Sequence, residues 1–512
     1  MHRTRLSIVA ALICAAFALS APTIASDDYT PSDLTAAQIL AKSATAHGKL
    51  EPGAYAVLSH AHGGGADYTY VSHINGDDAT TVESGGSFVS SYGRFQGQSW
   101  SQDENGTVIL ESGFVENGDP NAVAMKNPGD PDSRVKALGI TKEPKREYVI
   151  EVNPPGGEDE YRYYDAQTML LDRLITFESD RHEHVTTYDD YRTAFGQTSA
   201  YHWHYDDGRT NNVTDTWVSS FVRDANPAPL AIPTPNPRYT LPVGTAVTLP
   251  ARFTSSGIIV RATIAGRGLD FKLDTGASSI TIDPGVAHDL QLQTFGTFTG
   301  TIGGELDESE TKIADMQIGP LSLKDVAASV IPLSENTDDS RIVGLLGCDF
   351  IAGSVVGIDF GQKTVTLYPS AGFNPFAVGA TVRRSIDVDD CLPRIAGSVE
   401  SVPGSFLIDT GAFTTVLYKN YIRKLPQSHI GGDADIRGIM AVGGAVHTQE
   451  VMVSDLVLGP VQFKSAEVTE PLTSTFDIRD YDGIFGRNAL SPFAIYLDYT
   501  NRVVYFKLEK NH

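Results

Sequence analysis

The sequence predicts a mainly β protein: a duplicated β-barrel domain fills the C-terminal half, and an α+β domain built on an antiparallel sheet precedes it. Three observations predict this. The tetrapeptide Asp-Thr-Gly-Ala occurs twice, at 274–277 and 409–412, each time directly after an apolar strand. Downstream of both copies the same landmarks return at the same spacing: Gly303 to Gly319 and Gly443 to Gly459 are each 16 positions apart, and Gly344 to Asp359 and Gly483 to Asp498 are each 15. Upstream of the repeat, short alternating apolar and polar segments are separated by turn residues, the pattern of a sheet with one covered face.

At the N-terminus, Arg3 and Arg5 precede an almost wholly apolar run of 16 residues, 6–21, and small residues flank Ala25. This predicts a secretory signal peptide over 1–25, cut between Ala25 and Ser26, and an exported protein, periplasmic or secreted. The run falls short of the roughly 20 residues needed to span a bilayer. No later segment is long and apolar enough either, so no membrane span is expected after cleavage. Cys14 lies inside the apolar run and does not read as a lipid-attachment site.

An accessory domain is expected over 30–223. Pro31-Ser32-Asp33 ahead of Leu34, Ala37, Ile39, Leu40 and Ala44 predicts a capped amphipathic helix ending near Gly48. Strand patterns follow at 68–72, 108–110, 148–152, 161–164 and 184–188. Segments such as 163–171 and 189–192 are similar to the curved half-barrels of periplasmic lipoprotein carriers, which implies a ligand-holding or substrate-recruiting domain, or a cover for a cleft downstream. His182/His184 and His202/His204 each place two imidazoles on one side of a strand. With no third ligand identifiable, they read as solvated strand faces, and no metal is expected. A linker over 224–244 then carries six prolines in 16 residues, 227–242, and is expected to be extended, semi-rigid and exposed to cleavage.

The remainder divides at about 370–376 into halves covering 245–370 and 376–510. In each, an aspartate ends an apolar strand, at Asp274 and Asp409. Two carboxylates brought to one site cannot both stay ionised, and a shared proton supplies an acid and a base together. With the repeated Ile302-Gly303-Gly304 and Val442-Gly443-Gly444, Ile318-Gly319-Pro320 and Leu458-Gly459-Pro460, and Gly344-x-x-Gly347 and Gly483-x-x-Gly486, each half resembles a retropepsin-type aspartic protease domain. Together they resemble a pepsin-like bilobal enzyme.

The resemblance implies a dyad, Asp274 and Asp409, that activates a water to attack a peptide carbonyl with no covalent intermediate. It implies supporting roles for Thr275, Gly276 and Ala277 and for Thr410, Gly411 and Ala412. The threonines would bond across the domain interface, and the glycines would let the backbone approach closely and take a turn that a side chain forbids, so that loop amides point at the carboxylates. Alanine at 277 and 412, where pepsin-like enzymes often carry a hydroxyl, implies raised apparent pKa values for the pair. Flap hairpins fall at Gly303 and Gly304 and at Gly443 and Gly444, without an obvious flap tyrosine, and Gly344 and Gly483 brace the loops from behind. Tyr481-Asp482-Gly483 departs from the pattern by placing an acid where an apolar residue is expected.

At 512 residues and roughly 100–200 residues per domain, about three domains are expected. The formal net charge of −24 argues against nucleic acid and anionic membrane surfaces as partners. Cys348 and Cys391, one in each half, match no metal or redox spacing; two separate core thiols are the default expectation and an interdomain disulfide the alternative. The expected activity is aspartic endopeptidase hydrolysis of peptide or protein substrates by a monomer needing no cofactor. The alternative is a catalytically silent carrier, with an apolar ligand in the N-terminal domain and the protease fold as scaffold.

Overall fold

The computed structural model describes residues 29–112, 119–142, 144–155, 157–177, 183–242, 244–301, 305–333, 341–426, 436–441, 444–472 and 481–508. The predicted signal peptide lies outside them. The chain is mainly β and divides into two compact units. One takes residues 100–113 together with 233 onward; the other takes the rest of the upstream chain to 232.

The upstream unit is one long antiparallel sheet, running from Tyr29–Thr30 through Val135–Thr141 to Thr214–Arg223, then through Ala54–Gly63 and Ala66–Asn75 to Phe88–Phe95. Helix Ala36–His47 lies on it, and Ile39, Ile150, Val152 and Tyr164 form their shared core. The helix starts later than the Pro31-Ser32-Asp33 signal suggests. Thr35 is the cap: its hydroxyl accepts from the Gln38 N–H and the Gln38 side chain bonds back, a reciprocal pair that the earlier residues cannot form. The helix ends at Gly48, where a Cβ would stand 2.4 Å from the Gly196 carbonyl oxygen.

The downstream unit is built twice. The first half orders its eight strands Ala251–Thr254, Gly257–Ile264, Arg267–Leu273, Ile342–Leu346, Thr281–Ile282, Leu321–Val330, Glu305–Ile318, Thr294–Thr301. The second half repeats that order position by position, from Asp387–Asp389 through Val402–Ile408 and Gly483–Phe485 to Ile436–Ala441. In each, the strand leading into Asp-Thr-Gly runs parallel to the strand carrying the predicted brace, with Phe271 opposite Gly344 and Phe406 opposite Gly483. A third sheet of six strands takes three from each half, and the halves meet where Val355–Asp359 pairs antiparallel with Phe493–Asp498.

Three further features belong to this unit. Cys348 and Cys391 form a disulfide between the halves, with Cα atoms 5.9 Å apart, which corrects the expectation of separate thiols. Each cysteine was read as buried apolar volume, but the fold brings both to one junction. From Pro233 onward the proline-rich segment is part of the unit: Tyr239 is buried and its hydroxyl donates to the Phe350 carbonyl at 2.9 Å. The third feature is the short stretch 100–113, a strap that touches both halves. Asn105 donates to the Ala327 carbonyl (2.9 Å) and the Asp349 carboxylate (2.7 Å) and accepts from the Ala327 N–H (2.8 Å). Ser112 exchanges bonds with Val388, and the Asp390 N–H donates to Glu111 at 3.2 Å.

Candidate active site

Each Asp-Thr-Gly-Ala segment leaves the end of a strand whose neighbour holds it from behind. The Asp274 N–H donates to the Leu346 carbonyl (3.0 Å) and the Asp409 N–H to the Phe485 carbonyl (3.1 Å), so both aspartates are anchored on the brace strands. Gly344 is required by space: a Cβ there would stand 2.1 Å from the Phe271 ring and 2.6 Å from the Thr281 carbonyl oxygen. At Gly483 a Cβ would meet the Val416 carbonyl oxygen at 2.3 Å. Asp482, the departure from the brace pattern, is satisfied locally. Its carboxylate accepts the Ser405 N–H at 2.9 Å and pairs with Lys424 at 2.9 Å.

The two loops face one another and are tied by four reciprocal bonds. The Thr275 N–H donates to the Thr410 hydroxyl (3.1 Å) and the Thr410 N–H to the Thr275 hydroxyl (3.0 Å). Each hydroxyl in turn donates across the interface, Thr275 to the Ile408 carbonyl (2.7 Å) and Thr410 to the Leu273 carbonyl (3.0 Å). Both threonines are fully buried, so these bonds exchange with no water.

Gly276 and Gly411 do not take left-handed backbone angles, so of the two expected needs, a special turn and close approach, only the second applies. Their need is proximity. A Cβ on Gly276 would fall within 2.6–2.8 Å of the Asp409 carboxyl atoms, and one on Gly411 within 2.0–2.5 Å of those of Asp274. Each glycine therefore forms the floor beneath the opposite carboxyl group.

The electrostatics are asymmetric. One Asp409 oxygen accepts two backbone N–H groups, from Gly411 (2.7 Å) and Ala412 (3.0 Å), whereas Asp274 accepts one, from Gly276 (2.9 Å). Burial, and then the charge of Asp274, hold the Asp409 carboxyl well above the usual carboxylate range, outweighing the two amides. The carboxyl groups of Asp274 and Asp409 lie close enough that the charge of the first raises the second. Ala277 is packed against Leu333 and Leu345, and Ala412 against the cluster around Tyr418 and Ile484.

One neighbour escaped the sequence reading. Tyr499, immediately after the repeat landmark Asp498, is 1 % exposed, and burial, followed by the charges of Asp274 and Asp409, pushes its phenol above the usual range. The only signal was its position beside a landmark.

Of the other candidates, Gly303, Gly304 and Gly443 lie outside the described residues. Gly444 opens the strand Gly444–Leu458, opposite Ala441. His182 is also outside, and His184 is buried against Tyr205. His202 and His204 share Asp215, at 3.2 and 2.9 Å. Among the described residues no group of three or more His, Cys, Asp or Glu is placed to hold a metal ion, and no helix is long and apolar enough to cross a membrane.

Comparison with known proteins finds that residues 260–350 and 395–489 match the family described as aspartyl protease. No curated protein sequence matches the chain. Among solved structures, an aspartic proteinase from Irpex lacteus is 12% identical, with 52% of this chain and 98% of that one covered at a TM-score of 0.35. Basic 7S globulin from soybean is 11% identical, covering 51% and 94%, with a TM-score of 0.32. A LolA superfamily protein from Nitrosomonas europaea is 12% identical, covering 38% and 96%, with a TM-score of 0.28.

Proposed function

Since residues 260–350 and 395–489 belong to the aspartyl protease family, we propose that the protein is an aspartic endopeptidase in which Asp274 and Asp409 form one dyad. The observation that carries this is the pair of opposed carboxyl groups, each floored by a glycine of the other half and locked by the threonine exchange. A rigid frame matters because the protein supplies no covalent chemistry here: it holds a water and a peptide carbonyl in reacting geometry.

The dyad carries one proton over the neutral range, since the second ionisation would place a second charge beside the first on the buried Asp409. The ionised member takes a proton from the water. The protonated member donates to the carbonyl oxygen, which becomes a hydroxyl of the tetrahedral intermediate. Collapse breaks the C–N bond as the amine leaves with a proton, and the dyad returns to its starting state. The proton is not assigned to one residue, because the two titrate as a unit.

The disulfide supports an oxidising compartment outside the cytoplasm, and together with the predicted signal peptide the reading is a periplasmic or secreted enzyme. Both carboxyl groups come from one chain, so it works as a monomer. The test is cleavage of unfolded casein by the purified protein. Asp274→Asn and Asp409→Asn are each expected to lower kcat by about 10²–10⁴-fold, the range typical of positioned acid–base groups. Unchanged cleavage in either variant would sink the dyad. Gel filtration of the active fraction checks the monomer.

A further inference from the structure

The two halves hold the residue after Asp-Thr-Gly-Ala in the same frame but fill it differently. In the first half the Cys348 N–H donates to the Ala277 carbonyl (2.8 Å) and the Asp349 N–H to the Ser278 carbonyl (3.2 Å). In the second, the Arg487 N–H donates to the Ala412 carbonyl (3.0 Å) and the Asn488 N–H to the Phe413 carbonyl (3.2 Å). Ser278 and Phe413 are therefore corresponding residues, as are Cys348 and Arg487. The first position is polar and stands beside a disulfide. The second carries a phenyl ring that is 67 % exposed although its backbone is pinned.

Arg487 fixes that ring at the boundary between the halves. Its guanidinium lies over the Phe413 ring, 5.5 Å from the centroid, and reaches across to the first half, donating to the Thr254 carbonyl at 2.9 Å and the Ser255 carbonyl at 2.6 Å. A cation over an aromatic face is mildly favourable at an exposed site and restricts the ring without covering it. Phe413 also directly follows Ala412, whose N–H binds the Asp409 carboxylate at 3.0 Å. An exposed aromatic ring thus follows the dyad's own support by one residue, and the arginine over it joins it to the first half.

We infer that Phe413 is a specificity-determining residue: its exposed ring, held by Arg487, is the wall of an apolar subsite that receives a large aliphatic or aromatic side chain of the substrate. The corresponding subsite, walled by Ser278, lacks this apolar surface. The two ends of the cleft then differ, which gives a peptide one preferred direction across it. This rests on the peptidase reading and adds a substrate preference to it.

The test uses decapeptides that differ only in carrying leucine, serine or aspartate at one position, with that position moved along the peptide. At one fixed distance from the cut, the wild-type protein is expected to prefer leucine over serine at least 10-fold in kcat/KM. Phe413→Ser should reduce that ratio below 2-fold, with the loss in KM, while Phe413→Leu keeps it. An unchanged ratio in Phe413→Ser, or a preference for aspartate at that position, overturns the proposal. If the wild type cleaves none of the peptides, the peptidase reading fails on its own. The subsite is then judged by fluorescence-anisotropy binding of the same peptides: a leucine preference lost in Phe413→Ser upholds it, and equal binding rejects it.

Discussion

Thr275 and Thr410 each make two bonds that only the other loop can satisfy. Thr410→Val keeps the shape but leaves the Thr275 N–H and the Leu273 carbonyl unpaired in a dry interface; at roughly 1–3 kcal/mol per orphaned group, a loss of about 2–6 kcal/mol is expected in urea denaturation. Thr410→Ser should restore most of it. Gly411→Ala acts on chemistry instead, because the added carbon must displace the Asp274 carboxyl; a fall of at least 100-fold in kcat is expected with the fold intact by circular dichroism. For the dyad, the sign of the shift decides the pH range. Asp409 is raised by burial and by Asp274, so the shared proton survives to higher pH and kcat/KM should stay high well above pH 5, falling on the alkaline side as that proton is lost and on the acid side as the ionised member is protonated. A profile centred well below pH 4 would contradict this. The motif and its spacing told which residues meet. They did not tell that each glycine's close neighbour is the carboxyl group of the opposite loop, since proximity between two loops 135 residues apart leaves no local trace.

At the scale of elements, the duplicated strand order followed from repeated glycine landmarks, because a barrel strand announces its turns. The strap did not. Residues 100–113 hold no long apolar period, and their worth lies in single polar side chains that fit distant backbone. Glu111 is buried there, and burial lifts it to about 7 from an ordinary 4.5, with Asp390 and Asp389 adding to the rise against the Ser101 bond. Asp349 is raised as well, again mainly by burial. A raised carboxyl binds its proton more tightly in the fold than in the unfolded chain. The stability these two carboxyls contribute is therefore fully present below about pH 4.5 and is lost as pH rises toward 7, by at most about 3 kcal/mol for Glu111. The melting temperature should decline over that window, and Glu111→Gln should flatten the decline. A steeper decline in the variant would show that Glu111 is not its source. Beside the strap, reducing the Cys348–Cys391 bond removes a cross-link over 43 residues, and a loss of about 4 kcal/mol is expected on the chain-entropy argument.

For the whole molecule, the proline-rich stretch reads from sequence as an extended, semi-rigid linker, exposed to cleavage, that separates the two parts of the chain. The chain instead enters the downstream unit at residue 100, leaves it after 113 and returns at 233. A single engineered cut within 225–232 is expected to leave two fragments that elute together in native gel filtration, because the upstream fragment still carries the strap; separate elution would refute this. Residues 233–512 made alone should be markedly less stable than the nicked protein, since the Ala327 N–H and the Val388 amide and carbonyl lose their partners. The strap also has a consequence for the order of events in folding. Its bonds to Ala327 and Val388 span 222 and 276 residues, among the longest loops the chain must close; the first needs the first half and the second cannot form until the second half exists. On a chain made from its N-terminus, this clasp is one of the last contacts to close, so a slow final phase in refolding should vanish when Asn105 and Ser112 are both replaced by alanine.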